Sequence, residues 1–263
     1  MTKIISIINQ KGGVGKTTST VNLGYALASA GKKILVIDLD PQGNASTGLG
    51  IEREKRQKTI YEFLVDKKED PKKFITKTQT ENLDIICANV ELSGFETEVA
   101  DDNKRAFYLK EVLSEIKEKS QYNHILIDCP PSLSLLTIMA LVASDNVIIP
   151  LQTEFFALEG VSQLIKTIDR VKENLNKNLL IQGVILTMYD KRNRLSGQVE
   201  NEARKYFGDK VYKTVIPRNV RISEAPSHGV PVMLYDKSSA GAKAYYNLCE
   251  EILDQNNNKG YAA

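Results

Sequence analysis

The chain has 263 residues, 42% of them hydrophobic and 26% charged, with a formal net charge of +2. That size and balance suit one large globular domain with a sizeable core. So small a net charge exerts no global pull on nucleic acid, so any basic surface is local, and no stretch approaches the roughly 20 apolar residues of a membrane span.

The first predicted element is a strand, Ile4–Ile8, which runs directly into a glycine loop and so does not read as a secretory signal. Further strands are expected at Ile34–Asp38, Leu83–Cys87, Ile125–Asp128, Val147–Pro150, Ile181–Thr187 and Val211–Ile216. Most are continuously apolar, as strands covered on both faces are. Helices are expected between them, near 17–30, 58–65, 103–119, 132–143, 158–174, 196–207 and 239–254. Such alternation predicts an α/β fold, a doubly wound and mostly parallel sheet with helices on both faces and ligands at the carboxyl ends of its strands. Residues 50–80 are polar and lysine-rich and read as weakly structured around a short helix near Ile60–Leu64. One domain over 1–254 is expected, with a flexible tail over 255–263. The three cysteines, Cys87, Cys129 and Cys249, lack metal-ligand spacing and read as reduced core thiols of a cytoplasmic protein.

Between the first strand and the first helix lies NQKGGVGKTT, residues 9–18. A phosphate loop reads G-x-x-x-x-G-K-[ST]. Gly15, Lys16 and Thr17 satisfy its end, but Gln10 stands where the first glycine belongs and Lys11 follows as a second lysine. The chemistry survives the departure. Gly12, Gly13 and Gly15 allow positive φ, and the backbone N–H groups from Lys11 through Val14 to Thr18 can gather at the helix N-terminus as an anion nest. Lys16 is expected to reach β- and γ-phosphates, and the Thr17 hydroxyl to coordinate Mg²⁺.

Such a loop needs a carboxylate to place the metal or its water. Asp128, at the end of the buried strand in HILIDCPP, is expensive to bury unless it faces a cation or donors. In VIDLDPQGN, Asp38 ends a strand and Asp40 follows on the loop. Asp40 either orients an attacking water, or holds the hydration shell of the metal alongside Thr17 and Asp128, or simply starts a turn, since Asp-Pro often does so.

The segments KGGVGKTT, DLDPQGN, LIDCPP and IPRNVRISEAPSHG together resemble the ParA/Soj chromosome- and plasmid-partitioning ATPases, over nearly the whole chain. The first three mark the wider deviant P-loop group that includes MinD and the nitrogenase iron protein; the fourth is specific to the ParA/Soj branch. The resemblance gives Lys11 a purpose: it corresponds to a lysine that crosses a dimer interface to the phosphates held by the other subunit. A cation supplied in trans neutralises phosphate charge and couples nucleotide occupancy to dimerisation. Thr17 then corresponds to the Mg²⁺ ligand, Asp40 to the acid needed for hydrolysis, and Asp128 to the second switch acid. Pro217, Arg218 and Asn219 correspond to the loop that holds adenine. Met188 either packs on the base or belongs to the core.

Between Asp190 and Glu224 nine cations face five carboxylates, a locally basic segment. By composition this is a solvated face; by resemblance, Arg192 and Arg221 match positions that contact DNA nonspecifically. With no stacking platform and no recognition helix, no sequence reading is expected. The resemblance therefore implies an ATP- and Mg²⁺-dependent homodimer that binds double-stranded DNA on the nucleoid and is released when a ParB-type partner stimulates hydrolysis. Rival readings are a MinD-type membrane-cycling ATPase, an iron–sulfur ATPase of the nitrogenase type, and a ParA-like ATPase that positions a protein cargo. The first would need an amphipathic C-terminal helix with a bulky apolar face, whereas the spacing of Ala240, Ala244, Tyr245, Leu248, Cys249 and Ile252 suits a helix docked on the core. The second would need more cysteines than Cys129 supplies.

Overall fold

The computed structural model describes residues 2–66, 69–119, 122–155 and 157–260. Among these, seven strands form one sheet: β1 (Lys3–Ile7), β2 (Ile34–Asp38), β3 (Thr76–Lys77), β4 (Leu83–Ile86), β5 (His124–Asp128), β6 (Asn146–Gln152) and β7 (Leu180–Thr187). Their spatial order is β3-β4-β2-β5-β1-β6-β7, parallel throughout except for the short edge strand β3.

Alternation along each strand builds two core layers. Ile4, Leu35, Ile37, Ile125 and Ile127 face one; Ile5, Ile7, Ile34, Val36 and Leu126 face the other. Because both faces are covered, alternate residues are equally apolar and the strands read as unbroken hydrophobic runs.

The helices are α1 (Lys16–Ser29), α2 (Asn44–Gly48), α3 (Ile60–Val65), α4 (Phe95–Glu98), α5 (Tyr108–Lys119), α6 (Leu135–Ala143), α7 (Ala157–Asn174), α8 (Arg194–Phe207), α9 (Val220–Glu224), α10 (Val232–Tyr235) and α11 (Ala240–Gly260). The second layer belongs to α1, α10 and α11, the first to α3 and α5–α8. Helix α11 buries Tyr245, Leu248 and Ile252, and the Tyr245 hydroxyl lies 3.3 Å from Ser19 Oγ of α1. None of the described helices is long and apolar enough to cross a membrane. The tail expected from 255 begins within α11; residues 261–263 lie outside the described residues. Helices α2, α4, α9 and α10, of four or five residues, are too short to show a period and were not foreseen.

Two expectations are corrected. Val211–Ile216 is not a strand, although it runs along β7: Tyr212 N–H donates to Val184 O at 3.0 Å and Ile216 N–H to Leu186 O at 2.8 Å. Side chains take four more of its backbone groups. The Glu251 carboxylate accepts from Lys213 N–H at 2.7 Å and Thr214 N–H at 3.0 Å, while the Arg204 guanidinium donates to the carbonyls of Val211 and Tyr212. Residues 50–80, in turn, are anchored rather than weakly structured. Thr59 and Glu62 cap α3 reciprocally, and Phe63 stacks on buried Phe74 with ring centroids 4.6 Å apart.

Candidate nucleotide site

The parallel register aligns the carboxyl ends of three central strands, so Ile7 of β1 and Asp38 of β2 both pair with Asp128 of β5. The chain leaves β1 into the glycine loop and enters α1 at Lys16. Gly13 (φ 75°) and Gly15 (φ 90°) occupy the left-handed region, where a Cβ is strained. Gly15 caps α1 without a side-chain bond, leaving the first N–H groups of the helix to an anion. Three residues outside the predicted set hold this loop in shape. The Asn9 amide donates to Pro150 O at 2.7 Å, Gln10 Nε2 donates to Gly160 O at 2.7 Å, and Thr187 Oγ1 donates to Val14 O at 2.9 Å.

Lys16 is buried, and its Nζ donates to Lys11 O at 2.9 Å. Desolvation lowers its pKa, opposed chiefly by the charge of Asp128. A cation with so little solvent is strongly attracted to an incoming anion.

Asp128 is fully buried; its Oδ1 lies 3.2 Å from the Thr20 hydroxyl, which also faces Lys16 O, and its Oδ2 has no partner. Burial first, and then the charge of Asp38, pushes the Asp128 carboxyl up to about 8. Asp38 is better satisfied, accepting from Ser46 N–H at 2.8 Å, Ser46 Oγ at 2.7 Å and Asp40 N–H at 3.3 Å. A divalent cation or its water would answer the orphaned oxygen and relieve the two adjacent acids. Among the described residues no cluster of three His, Cys, Asp or Glu has ligand spacing. Half-buried Thr17 at the loop end can supply a hydroxyl to a Mg²⁺ ion, and Asp128 a carboxylate oxygen to the ion or its water.

Asp40 is buried, yet it makes the turn contacts its Asp-Pro sequence allows: Oδ1 accepts from Gln42 N–H at 3.0 Å and its carbonyl from Gly43 N–H at 2.9 Å. Its charge reaches both Lys16 and Asp128. Lys11 stands at the rim. Its backbone N–H donates to Asn9 Oδ1 at 3.0 Å, and its ammonium forms an ion pair with Glu154, on the junction between β6 and α7. Glu154 is 143 residues away in sequence and carries no motif, so nothing in the sequence pointed to it.

The carboxyl end of β7 links the loop to Pro217–Asn219. Thr187 holds Val14, Met188 is left-handed and half-buried at φ 51°, and Tyr189 pairs with Pro217 and accepts from Arg218 N–H at 3.1 Å. Asn219 Oδ1 is buried without a partner. Arg192 lines a cleft of about 1050 Å³ together with Lys213, Arg218 and Lys243. Its guanidinium is clasped by Asp190 through Nε and Nη2, both at 3.1 Å. Arg221 is not in that lining; it pairs with Glu224 at 2.8 Å and Asp236 at 3.4 Å, beside the Tyr235 ring. The two arginines singled out from the sequence thus lie in separate settings, each held by its own carboxylates.

Comparison with known proteins is consistent along the chain. Residues 2–181 match the AAA domain family. The sporulation initiation inhibitor protein Soj of Bacillus subtilis is 55% identical, over 96% of this chain and 98% of its own length. The chromosome partitioning protein ParA of Caulobacter vibrioides is 52% identical, over 96% and 94%. The chain belongs to the ParA/Soj family of partitioning ATPases. The ParA/Soj relatives extend the match through α8, the Pro217–Asn219 loop and α11, which lie beyond the AAA segment. Among solved structures, cobyrinic acid a,c-diamide synthase from Mycobacterium smegmatis with a bound ATP analogue and magnesium superposes with a TM-score of 0.85 at 32% identity, covering 96% of this chain and 94% of its own. The septum site-determining protein MinD from Pyrococcus horikoshii with Mg-ADP gives 0.77 at 32% identity, covering 96% of each chain. The doubly wound sheet predicted from the sequence is the fold of these proteins.

Proposed function

We propose that this ParA/Soj chain is an ATP-driven switch that closes into a homodimer, binds DNA nonspecifically in that state and lets go after hydrolysis. The observation that carries the reading is the division of labour between two lysines. Lys16 is buried over the nest; Lys11 is raised at the rim, where a second subunit can meet it. The nest of Gly12–Thr18 and Lys16 would hold the phosphates of ATP, and Thr17 with Asp128 would hold Mg²⁺ and its water. When bound, the ion would supply charge neutralisation to the phosphates. Asp40 would orient the water that attacks the γ-phosphorus as ADP leaves, and Lys11 would steady the same charge from the opposite subunit. Pro217, Arg218 and Asn219 would hold adenine, an Asn amide offering donor and acceptor together to the base edge.

The relatives named for chromosome partitioning and the ATP analogue and Mg-ADP bound by two structural neighbours support this reading. A cationic cleft beside the adenine loop, with Arg192 at its edge, supports the DNA step: two copies in one dimer double the phosphate contacts, so affinity climbs steeply on dimerisation. A ParB-type protein is the stimulating partner by the same family argument, and the nucleoid is where the ATP state would reside. Membrane cycling through α11 is disfavoured because that helix spends its apolar side on the core.

The test is binding to a random-sequence duplex with ATP, ADP or no nucleotide, for wild type and Asp40→Ala. Binding confined to ATP and prolonged in Asp40→Ala supports the switch. ATP-driven dimers that bind no DNA in any state would move the assignment to a relative that positions a protein cargo.

A further inference from the structure

Resting on the proposed homodimer, in which two nucleotides would be sandwiched between the subunits, we infer that Glu154 is a positioning residue: it holds Lys11 in cis in the monomer and sets how much nucleotide-bound protein is needed before the dimer forms. Lys11 and Glu154 are joined by an ion pair at the rim of the nest, with side chains 42% and 38% exposed. The carboxylate is itself fixed, because Gln152 Nε2 donates to its other oxygen at 2.9 Å and the Glu154 carbonyl accepts from Ala157 N–H at 3.0 Å. The first turn of α7, just beyond that junction, is also tied to the loop, by Gln10 Nε2 donating to Gly160 O. Lys11 is therefore clamped to the end of β6 at the position from which it would have to reach phosphates on another subunit.

One ammonium cannot satisfy both demands. Its reach outward requires the Glu154 contact to open in each subunit, so every dimer formed breaks two such pairs. Half-exposed pairs are weak, and this gives the contact its use: it holds Lys11 in place without locking it. Breaking one pair of this kind costs about 1.5- to 5-fold in an equilibrium constant, and two cost roughly 2- to 30-fold. Neutralising Glu154 removes that cost while leaving the nest, which contains no atom of Glu154, as it is. The cis contact thus works against premature closure, and the threshold for dimerisation is partly written in a residue that takes no part in hydrolysis.

The experiment measures the dimer dissociation constant by sedimentation, with Mg²⁺ and a non-hydrolysable ATP analogue, for wild type, Glu154→Gln and Gln152→Ala. The analogue's affinity is measured in parallel at protein concentrations where all three are monomeric. The inference expects a dimer tightened 2- to 30-fold in Glu154→Gln, a smaller shift the same way in Gln152→Ala, and unchanged monomer affinity for the analogue. Dimerisation unchanged or weakened in Glu154→Gln while wild type dimerises overturns the role of Glu154 and leaves the sandwich reading standing. An equal change in monomer nucleotide affinity overturns it too, since Glu154 would then be shaping the nest. If wild type itself fails to dimerise with the analogue, the sandwich reading falls and this inference with it.

Discussion

Replacing Arg192 by alanine deletes a cation whose side chain is 91% exposed and whose bonds run only to Asp190, two residues away. The fold loses no packing, so the melting temperature and the ATP-driven dimer are expected to stay as they are. DNA affinity is another matter. Each phosphate neutralised steepens the dependence of log K on log salt by roughly 0.9, and an ATP dimer carries two copies of Arg192, so the slope should flatten by about 2. Over a fourfold rise in salt, from about 50 to about 200 mM, the ratio of wild-type to variant affinity should shrink about tenfold. Fluorescence anisotropy with a labelled duplex across a salt series, ATP-loaded, reads that slope directly. Asp190→Asn, which frees the same guanidinium from its internal clasp, should move affinity the opposite way. A slope identical to wild type would show that Arg192 touches no phosphate, and a variant unable to dimerise would show that it is structural.

Lys16→Ala should abolish ATP binding, checked by equilibrium dialysis, because the other lysine of the loop, Lys11, is half-exposed and paired with Glu154. In Gly183→Ala the new Cβ would sit 2.4 Å from the Tyr212 ring, a clash expected to cost on the order of 1–3 kcal/mol in chemical denaturation; Tyr212→Leu in the same chain should recover part of that loss. Buried His124 has an unpartnered Nδ1, and desolvation, then the charges of Lys32 and Lys3, depress its pKa to about 4. The unfolded chain takes up a proton near pH 6.5 that the folded chain refuses, so stability falls as pH drops from about 6.5 to about 4, by on the order of 3 kcal/mol. His124→Gln should flatten that part of the stability–pH curve, and an unchanged curve would refute the assignment.

How far the sequence reaches depends on the range of the interactions. The strand, glycine loop and helix from Ile4 to Ala30 were legible because contiguous residues carry the signals: β-branched periodicity, positive-φ glycines and the lysine at the helix start. The seven-strand count came out right only because two errors offset each other. Edge strand β3, two residues long, was missed, and Val211–Ile216 was taken for a strand although Arg204 and Glu251 satisfy its backbone instead. Asp128 could be placed from its strand, but its orphaned oxygen, the neighbouring Thr20 hydroxyl and the register with Asp38 depend on which strand ends meet.

The sequence by itself determined the local chemistry of the nest, the two core-facing rows of each strand and the ParA/Soj resemblance, since each is written in short contiguous stretches of chain. Tertiary structure alone decided that Lys11 rests on Glu154, that Thr187 supports Val14, and that Arg192 and Arg221 lie in different settings. These are contacts between charged or polar groups brought together by sheet order. A side chain that contributes one carboxylate across 143 residues leaves no periodic or compositional trace along the chain.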